Sequence, residues 1–399
     1  MGRFTALDDH LVDKTIEDHL QYIVNSIISQ IEPQSIILRG SFGRGEGSVI
    51  VHGDKLSFLS DYEIDVATLS PFYRSLFSRL TRQLTSELGV DVGIRWVRPD
   101  YLLTNRIGPF LVGEAPISIS SYETRYGSKI LYGEDFINSC SAIDPGKIQL
   151  ESGIQLIFNR MAESLIYMSN NSHTIDDLRA YYWINKTVLA CAESLLILWK
   201  QYHFLYKERG LRFEVLAQQR LSFMLDQGPI LCEFVARATE FKLRPNSDLY
   251  PLPIEDTWQQ VVPIVDTIFR HLIKNGPRIN FQSYVEFPTQ YIHHSSQHNK
   301  LHSLKLFSSI KLLEVYRCMR VHYFPKSLLL PYHAYQVVYS VVPLLFIGLL
   351  KEERLSLVDG VRYWLMKLGP LKERSTDPNI EWDYLRQRLI WYWKVFCHG

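Results

Sequence analysis

The sequence predicts an α+β protein in which a sheet with flanking helices occupies the first third of the chain and all-helical domains follow. Short apolar or alternating segments, typical of strands, alternate with helical patterns up to about residue 135, and long helical patterns dominate from Ile148 onward. At 399 residues the chain exceeds what one hydrophobic core usually organises. We therefore divide it into residues 1–147, 148–250 and 251–399, with prolines at 245, 251 and 253 marking the last boundary.

The first predicted strand ends in a glycine-rich loop. Residues 9–31 have the pattern of a helix that leads into an apolar run at 36–38, and this run stops at 39–41. Glycines follow at 43, 45 and 47, and such a loop lets backbone N–H groups approach an anion closely. Beyond it, apolar runs on either side of a Gly53-Asp54 turn predict a β-hairpin.

A run of acidic residues marks the next strand. Because side chains alternate along a strand, Asp61, Glu63 and Asp65 share one face and the apolar residues between them share the other. A further alternating strand at residues 89–97 carries Asp91. Clustered carboxylates repel one another, but a pair of Mg²⁺ ions makes the same charge favourable. The pattern therefore predicts a metal site built from these acids.

These residues resemble the motif of the polymerase-beta-like nucleotidyltransferases. That motif has a hydrophobic residue before Gly-Ser, a spacer, an acid-x-acid strand and an isolated Asp on a later strand. Here Gly40-Ser41, Asp61-x-Glu63 and Asp91 match it in order. Residues 126–134 also resemble the segment that closes the catalytic domain in small-molecule members, including aminoglycoside-modifying ones. The resemblance covers roughly the first third of the chain and implies that residues 1–147 are a nucleotidyltransferase catalytic domain built on a mixed sheet with flanking helices.

The resemblance also implies a reaction and a role for each matching residue. A nucleoside monophosphate would pass from an NTP to a hydroxyl of a small-molecule acceptor, with release of pyrophosphate. Asp61 and Glu63 would hold two Mg²⁺ ions, with Mn²⁺ as the alternative metal, and Asp91 would ligate the catalytic ion and help to deprotonate the acceptor. Gly40, Ser41 and the backbone N–H groups that follow would hold the β- and γ-phosphates.

Three details depart from the family pattern or leave a choice open. The spacer between Ser41 and the acidic strand is longer than usual, since it contains the predicted hairpin. Glu63-x-Asp65 also fits the acid-x-acid motif, but we favour Asp61 with Glu63. Asp65 then lies deeper on the same face, where it either supports the metal ligands without binding metal itself or forms a salt bridge. In the loop, Arg44 is a candidate phosphate contact, although a surface position is the simpler expectation for Arg44 and for Glu46.

The helical region is expected to supply a positively charged side chain that contacts the nucleotide. In two-domain relatives a helical domain faces the catalytic sheet across a cleft, and a lysine there often contacts the triphosphate. Lys186 is the candidate here and Arg160 the second choice, while snorkelling from a helix face is the alternative for each. Thr174-x-x-Asp177 is a capping box that would open this helix, which we expect to run to about Tyr206.

Composition narrows the class of protein. The chain has 43 Lys and Arg against 42 Asp and Glu, so there is no broad basic field, which argues against nucleic acid as a partner and favours a small acceptor. Five scattered cysteines without a CxxC motif and a polar N-terminal segment favour a reducing cytoplasm. The rival functions are a toxin that modifies a protein or tRNA, an oligonucleotide-signal synthase and a non-catalytic nucleotide-binding module.

For two patterns in the last third of the chain, we favour a structural role over a functional one. Histidines at 294, 298 and 302 share the spacing of metal ligands, but the polar residues around them are typical of a solvent-facing helix. Residues 328–350 contain no Asp, Glu, Lys or Arg and approach the length of a membrane span. Pro331, Pro343 and polar side chains interrupt this stretch, so a buried pair of helices is predicted and no membrane span is favoured.

Overall fold

The computed structural model describes residues 2–53, 55–70, 73–99, 117–167, 177–224, 226–301, 304–321 and 332–397, and it confirms an α+β protein with a small mixed sheet and many helices. The strands are β1 (Ser35–Arg39), β2 (Val49–His52), β3 (Lys55–Phe58), β4 (Tyr62–Ala67), β5 (Val92–Val97) and β6 (Lys129–Gly133). The helices are α1 (His10–Ile28), α2 (Gly40–Arg44), α3 (Arg74–Leu88), α4 (Ile119–Gly127), α5 (Leu150–Tyr167), α6 (Asp177–Leu198), α7 (Tyr206–Arg220), α8 (Gln227–Leu243), α9 (Ile254–Asn275), α10 (Phe287–Leu301), α11 (Leu304–Arg320), α12 (Ala334–Ile347), α13 (Arg354–Leu368) and α14 (Pro378–Phe396).

The chain forms two compact units, and each is built from two stretches of sequence. Unit 1 comprises residues 1–153 and 195–251, and unit 2 comprises residues 154–194 and 252–399. Every strand belongs to unit 1, whereas the described elements after residue 150 are helices, as the sequence predicts. The division into three domains stays a prediction.

The sheet of unit 1 is mixed, as the family resemblance implies. Its strand order is β5-β4-β1-β6, with β1 antiparallel to both neighbours and β4 parallel to β5. The predicted hairpin is also confirmed, because β2 and β3 pair as a separate antiparallel sheet. Gly53 turns the hairpin at a φ of 59°, in the left-handed region that glycine tolerates, while Asp54 lies outside the described residues.

One face of the sheet is buried under helices, which leaves the acidic residues on the other. The α1 side chains Val12, Ile16, Leu20 and Ile23 are buried in the same core cluster as Tyr62, Ile64 and Val66 of β4. The α3 residues Phe77, Leu80 and Leu84 complete this cluster. Because the apolar residues of β4 point into this core, strand alternation turns Asp61 and Glu63 to the opposite face.

Two predicted segment boundaries are wrong. The glycine-rich stretch predicted as a loop begins as the five-residue helix α2, which ends at Gly45 with a φ of 78°. The helix expected to run to about Tyr206 ends at Leu198, and Lys200 adopts a φ of 61° that no helix can continue through. The proposed cap at Thr174 lies outside the described residues, although α6 does begin at Asp177.

The described secondary-structure elements of unit 2 are all helices. Nearly all side chains of α12 are buried, which confirms burial for this part of the apolar stretch, but the described portion forms one helix and residues 328–331 lie outside it. Within the described ranges, none of the helices combines the length and the apolar character that crossing a membrane requires. Of the three spaced histidines, His294 is half-buried in α10, the side chain of His298 is not described and His302 lies outside the described residues.

Candidate active site

The acids predicted to hold metal occupy adjacent positions on two parallel strands. Tyr62 pairs with Val92 and Glu63 with Gly93, and the backbone N–H of Tyr62 donates to the carbonyl of Asp91 at 2.9 Å. Asp61 and Asp91 each lie one residue before this pairing. The register and the side-chain alternation therefore place Asp61, Glu63 and Asp91 on one face, near the start of both strands.

The carboxylates themselves are not drawn together. Asp61 and Asp91 are exposed, and the described residues give neither side chain an ion pair or a hydrogen bond, while Glu63 is half-buried. Across the part of the chain that is described, no three His, Cys, Asp or Glu side chains lie close enough to hold one metal ion. The backbone thus brings the three acids to one place, and their side chains stay separate.

Asp65 is neutralised by two guanidinium groups. Its side chain is 3% exposed, and it accepts from Arg95 Nε at 2.8 Å and from Arg95 Nη2 at 2.7 Å, while Arg39 Nη1 lies 3.3 Å away. Burial works to lower the pKa of Arg95, but Asp65 and, more weakly, Glu63 raise it above its ordinary value. Of the two alternatives for Asp65, the salt bridge is confirmed, and this pairing favours Asp61 with Glu63 as the free acidic pair.

The Gly-Ser turn packs directly against the acidic strand. Arg39, the last residue of β1, pairs with Glu63, and Gly40 follows at a φ of 64°. A Cβ on Gly40 would lie 2.4 Å from Glu63 Oε1, so the turn requires glycine for its conformation and for its close approach to this carboxylate. The structure therefore brings Gly40 and Ser41 beside Glu63.

Other glycines of the segment serve packing. A Cβ on Gly43 would lie 2.6 Å from the carbonyl oxygen of Gly127, and one on Gly47 would lie 2.2 Å from the ring of Phe42. Lys129 holds the end of α2 by donating to the carbonyls of Gly43 and Phe42. Close backbone and ring contacts thus account for glycine at 43 and 47 without a phosphate.

The predicted surface positions of Arg44 and Glu46 are wrong. The Arg44 side chain is 4% exposed and Glu46 is fully buried. Arg44 Nη1 donates to Glu123 Oε2 at 2.8 Å, and Glu46 accepts from the backbone N–H groups of Tyr206 at 2.8 Å and Lys207 at 3.1 Å, which caps α7. A phosphate contact by Arg44 stays a prediction, but its guanidinium already has an internal partner.

Glu123 joins α4 to the loop and to α7. One of its oxygens accepts from Arg44, and the other accepts from the Tyr202 hydroxyl at 2.7 Å and from Arg209. Burial works to raise the pKa of Glu123, but the two guanidinium groups outweigh it and hold this pKa at about 2. Glu123 is therefore a charged clamp behind the Gly-Ser turn, which sequence reasoning missed.

The sequence patterns did not indicate Lys242, which contacts Ser41 of the motif directly. It lies in α8, is 4% exposed, and its Nζ donates to the hydroxyls of Ser41 at 2.9 Å, Ser48 at 2.9 Å and Ser60 at 3.0 Å. The only sequence signal is a lysine between Phe241 and Leu243 at the apolar end of a helix. Burial of an ammonium group requires such polar partners.

The structure places the predicted cation Lys186 in unit 2. Its Nζ lies 4.8 Å from the centroid of the Tyr182 ring and 4.5 Å from that of Trp183. Arg160, the second candidate, pairs with Glu163 in the same unit. A ring contact of this kind stabilises an ammonium whether or not a ligand is nearby. The proposed contact of Lys186 with the triphosphate stays a prediction.

No protein-family model, curated protein or solved structure matches this chain. The residues that bear on chemistry are three acids on one sheet face, a Gly-Ser turn against the second of them, and a buried lysine at the serine of that turn. Such a set offers oxygen ligands for hard divalent cations and hydrogen-bond donors for anions.

Proposed function

We propose that the chain is a Mg²⁺-dependent nucleotidyltransferase with a polymerase-beta-like catalytic domain. It transfers a nucleoside monophosphate from an NTP to a hydroxyl of a small-molecule acceptor and releases pyrophosphate. The observation that carries this proposal is the strand register, which sets Asp61, Glu63 and Asp91 on one face with Gly40-Ser41 packed against Glu63. The motif spans residues 40–91 of the sequence, and the strand pairing brings the backbone of these residues to one end of β4 and β5.

The donor set fits Mg²⁺. Carboxylate oxygens are the ligands that this ion prefers, and exposed Asp61 and Asp91 are able to rotate toward a common centre. Asp65, whose charge Arg39 and Arg95 already balance, is not available in the same way. Bound Mg²⁺ would lower the pKa of the acceptor hydroxyl and neutralise charge on the transferred phosphoryl group.

The chain's own groups divide the remaining work. Asp91, an exposed residue directly before β5, accepts the proton of the acceptor hydroxyl. Ser41 and the backbone N–H groups around it hold the β- and γ-phosphates, so that the transferred group is oriented for in-line attack. Arg44, Glu46 and Glu123 keep the segment behind Ser41 rigid through buried ion pairs and the cap on α7.

The near-zero charge balance supports a small acceptor over nucleic acid. The rival functions are a toxin that modifies a protein or tRNA and an oligonucleotide synthase, and a nucleotide-transfer assay distinguishes them by the acceptor that each requires. An oligonucleotide synthase consumes NTP without any added acceptor, whereas a toxin labels a macromolecule. A small-molecule enzyme requires an added hydroxyl compound.

The test uses purified full-length protein, each of the four NTPs labelled at the α-phosphate, and Mg²⁺ or Mn²⁺. We expect metal-dependent binding of at least one NTP and pyrophosphate release when hydroxyl compounds are supplied in pools. Glu63→Gln should abolish turnover, and Glu32→Gln, at an exposed position in the same unit, should leave it unchanged. If no NTP binds in the presence of either metal at millimolar concentration, the proposal fails.

A further inference from the structure

Lys242 forms a three-way cross-link at the edge of the sheet where the predicted site lies. Its ammonium group donates to Ser41 at the start of α2, to Ser48 before β2 and to Ser60 before β4. Ser48 strengthens the link, since its hydroxyl donates to the carbonyl of Lys242 at 2.7 Å and its N–H donates to Ser60 Oγ at 2.9 Å. The end of α8 is thereby fixed to the turn, the hairpin and the acidic strand at once.

The chemistry of the ammonium group determines how each serine is used. An ammonium donates hydrogen bonds and accepts none, so each Oγ that it contacts must present a lone pair to it. The hydroxyl hydrogen then points elsewhere, and for Ser48 it points to the Lys242 carbonyl. Among the described residues, Ser41 Oγ has no hydrogen-bond partner other than Lys242. The hydroxyl hydrogen of Ser41 is therefore turned away from Lys242 and is free to donate.

We propose that Lys242 is a positioning residue that orients the Ser41 hydroxyl as a donor to a phosphate of the bound nucleotide. The inference rests on the proposed function and adds a residue that its motif does not contain. Ser41 is half-buried, so a ligand can reach it, whereas Lys242 and Ser48 are buried and act from behind. A neighbouring ammonium also polarises the hydroxyl, which strengthens its bond to an anion.

The ligand recognised by this pair is the polyphosphate part of the donor. The turn carrying Ser41 lies against Glu63, so a phosphate at Ser41 would be close to the acids proposed to hold metal. Inorganic tripolyphosphate with Mg²⁺ is therefore a suitable probe, because it contains the phosphates without base, ribose or a transferable group.

The experiment measures the affinity of the full-length protein for Mg²⁺-tripolyphosphate by calorimetry, together with melting temperature. Lys242→Met and Ser41→Ala should each weaken binding about tenfold, since each removes one oriented, charge-assisted donor. Because both changes remove the same donor, the double variant should bind no more weakly than either single variant. Lys55→Met, which removes an exposed lysine of the same unit, is the matched control and should bind like wild type.

Three results would overturn the positioning role. If the double variant loses affinity by the product of the two single losses, Lys242 contacts the phosphate independently of Ser41. A lowered melting temperature with unchanged affinity in Lys242→Met would mean that the lysine is only structural. If Lys242→Met does not fold, Ser41→Ala alone decides, and wild-type affinity in that variant contradicts the proposal.

The outcome is separable from that of the proposed function. Tripolyphosphate binding with the expected pattern, but without nucleotidyl transfer from any NTP, would support the orientation of Ser41 and contradict the proposed reaction. If the protein transfers nucleotide but Lys242→Met and Ser41→Ala weaken binding independently, the proposed reaction is supported and the orientation of Ser41 by Lys242 is contradicted. As a second readout, Ser41→Thr keeps a hydroxyl at this position and should recover part of the affinity lost in Ser41→Ala.

Discussion

Asp65 and Glu63 lie two residues apart on one face of β4, yet their surroundings differ sharply. Two guanidinium groups surround the carboxylate of Asp65, whereas Glu63 lies over the Cα of Gly40 and Asp61 is exposed. At the scale of single residues, the partner of a carboxylate decides its role. A paired acid stabilises the fold, and an unpaired acid on an open face is available to a metal or a substrate.

The unpaired acids should be dispensable for folding. We expect Asp61→Ala and Glu63→Ala to reduce turnover by at least roughly a hundredfold, because each removes an oxygen ligand needed in the transition state. The melting temperature should stay nearly the same, because the described residues give neither carboxylate an ion pair or a hydrogen bond whose loss would destabilise the fold. Turnover within tenfold of wild type in either variant would contradict the assignment of Asp61 and Glu63 as metal ligands.

The paired acid should behave in the opposite way. Asp65→Asn leaves Arg39 and Arg95 without their charged partner, so we expect the free energy of unfolding to fall by about 1–3 kcal/mol. Turnover should fall less than in Glu63→Ala. Urea denaturation of Asp65→Asn, Arg95→Met and the double variant measures the coupling between the two side chains. Loss of activity as severe as in Glu63→Ala would show that Glu63 and Asp65 form the metal pair instead.

At the scale of elements, the Gly-Ser turn is held from several sides. Lys129 binds the carbonyls at the end of α2, Glu46 caps α7, and Glu123 joins α4 to Arg44 and Arg209. Five-residue helices have little stability of their own, because a helix nucleus is costly to form. The tertiary ion pairs therefore keep α2 in place behind the site.

The Glu123 clamp predicts a specific dependence of stability on pH. The pKa of its carboxyl is lowered from an ordinary value of 4.5 to about 2, so the folded protein favours the ionised form. This contribution is fully present above pH 4.5 and is lost as the pH falls from 4.5 toward 2. Its upper limit is roughly 3 kcal/mol. Compared with wild type, Glu123→Gln should lose most stability near pH 6 and much less near pH 3.

Urea denaturation of both proteins at these two pH values measures the difference. Glu134→Gln, at an exposed position in the same unit, is the control and should show no change with pH relative to wild type. An equal loss of stability in Glu123→Gln at both pH values would contradict the clamp.

At the scale of the whole molecule, unit 1 depends on a stretch that is distant in sequence. Residues 195–251 belong to the same compact unit as the sheet and contribute Arg209, Lys242 and the N-terminus of α7. Without this stretch, Glu46, Glu123 and Ser48 would each lose a buried partner. Unpartnered buried charges are among the most costly defects in a fold.

A fragment of residues 1–147 should therefore fail to fold cooperatively, although the nucleotidyltransferase motif is complete within it. We expect a broad thermal transition by circular dichroism and no sharp near-ultraviolet signal. A fragment of residues 1–251, which retains both stretches of unit 1, should show a cooperative transition. If the two fragments melt alike, residues 195–251 are not part of the folding unit.

The sequence by itself determined the local patterns. Alternation in residues 60–67 was sufficient to place Asp61 and Glu63 opposite the apolar core, and the turn at Gly53 was sufficient to predict the hairpin. These features depend on a period of two residues and on glycine geometry, and both are readable in a short window. The helical remainder followed from helical periodicity in the same way, whereas the mixed pairing of the strands was implied only by the family resemblance.

Only the tertiary structure decided which side chains meet. Lys242 contacts Ser41 across 201 positions of sequence, and Arg209 contacts Glu123 across 86. No local pattern specifies such a pair, because a buried ion or hydroxyl is stabilised by whichever partner the packed chain brings within reach. Arg44 and Glu46 show the same limit. Polar residues in a glycine-rich segment favour the surface unless partners distant in sequence make burial favourable, and here these partners are the Glu123 carboxylate for Arg44 and two backbone N–H groups for Glu46.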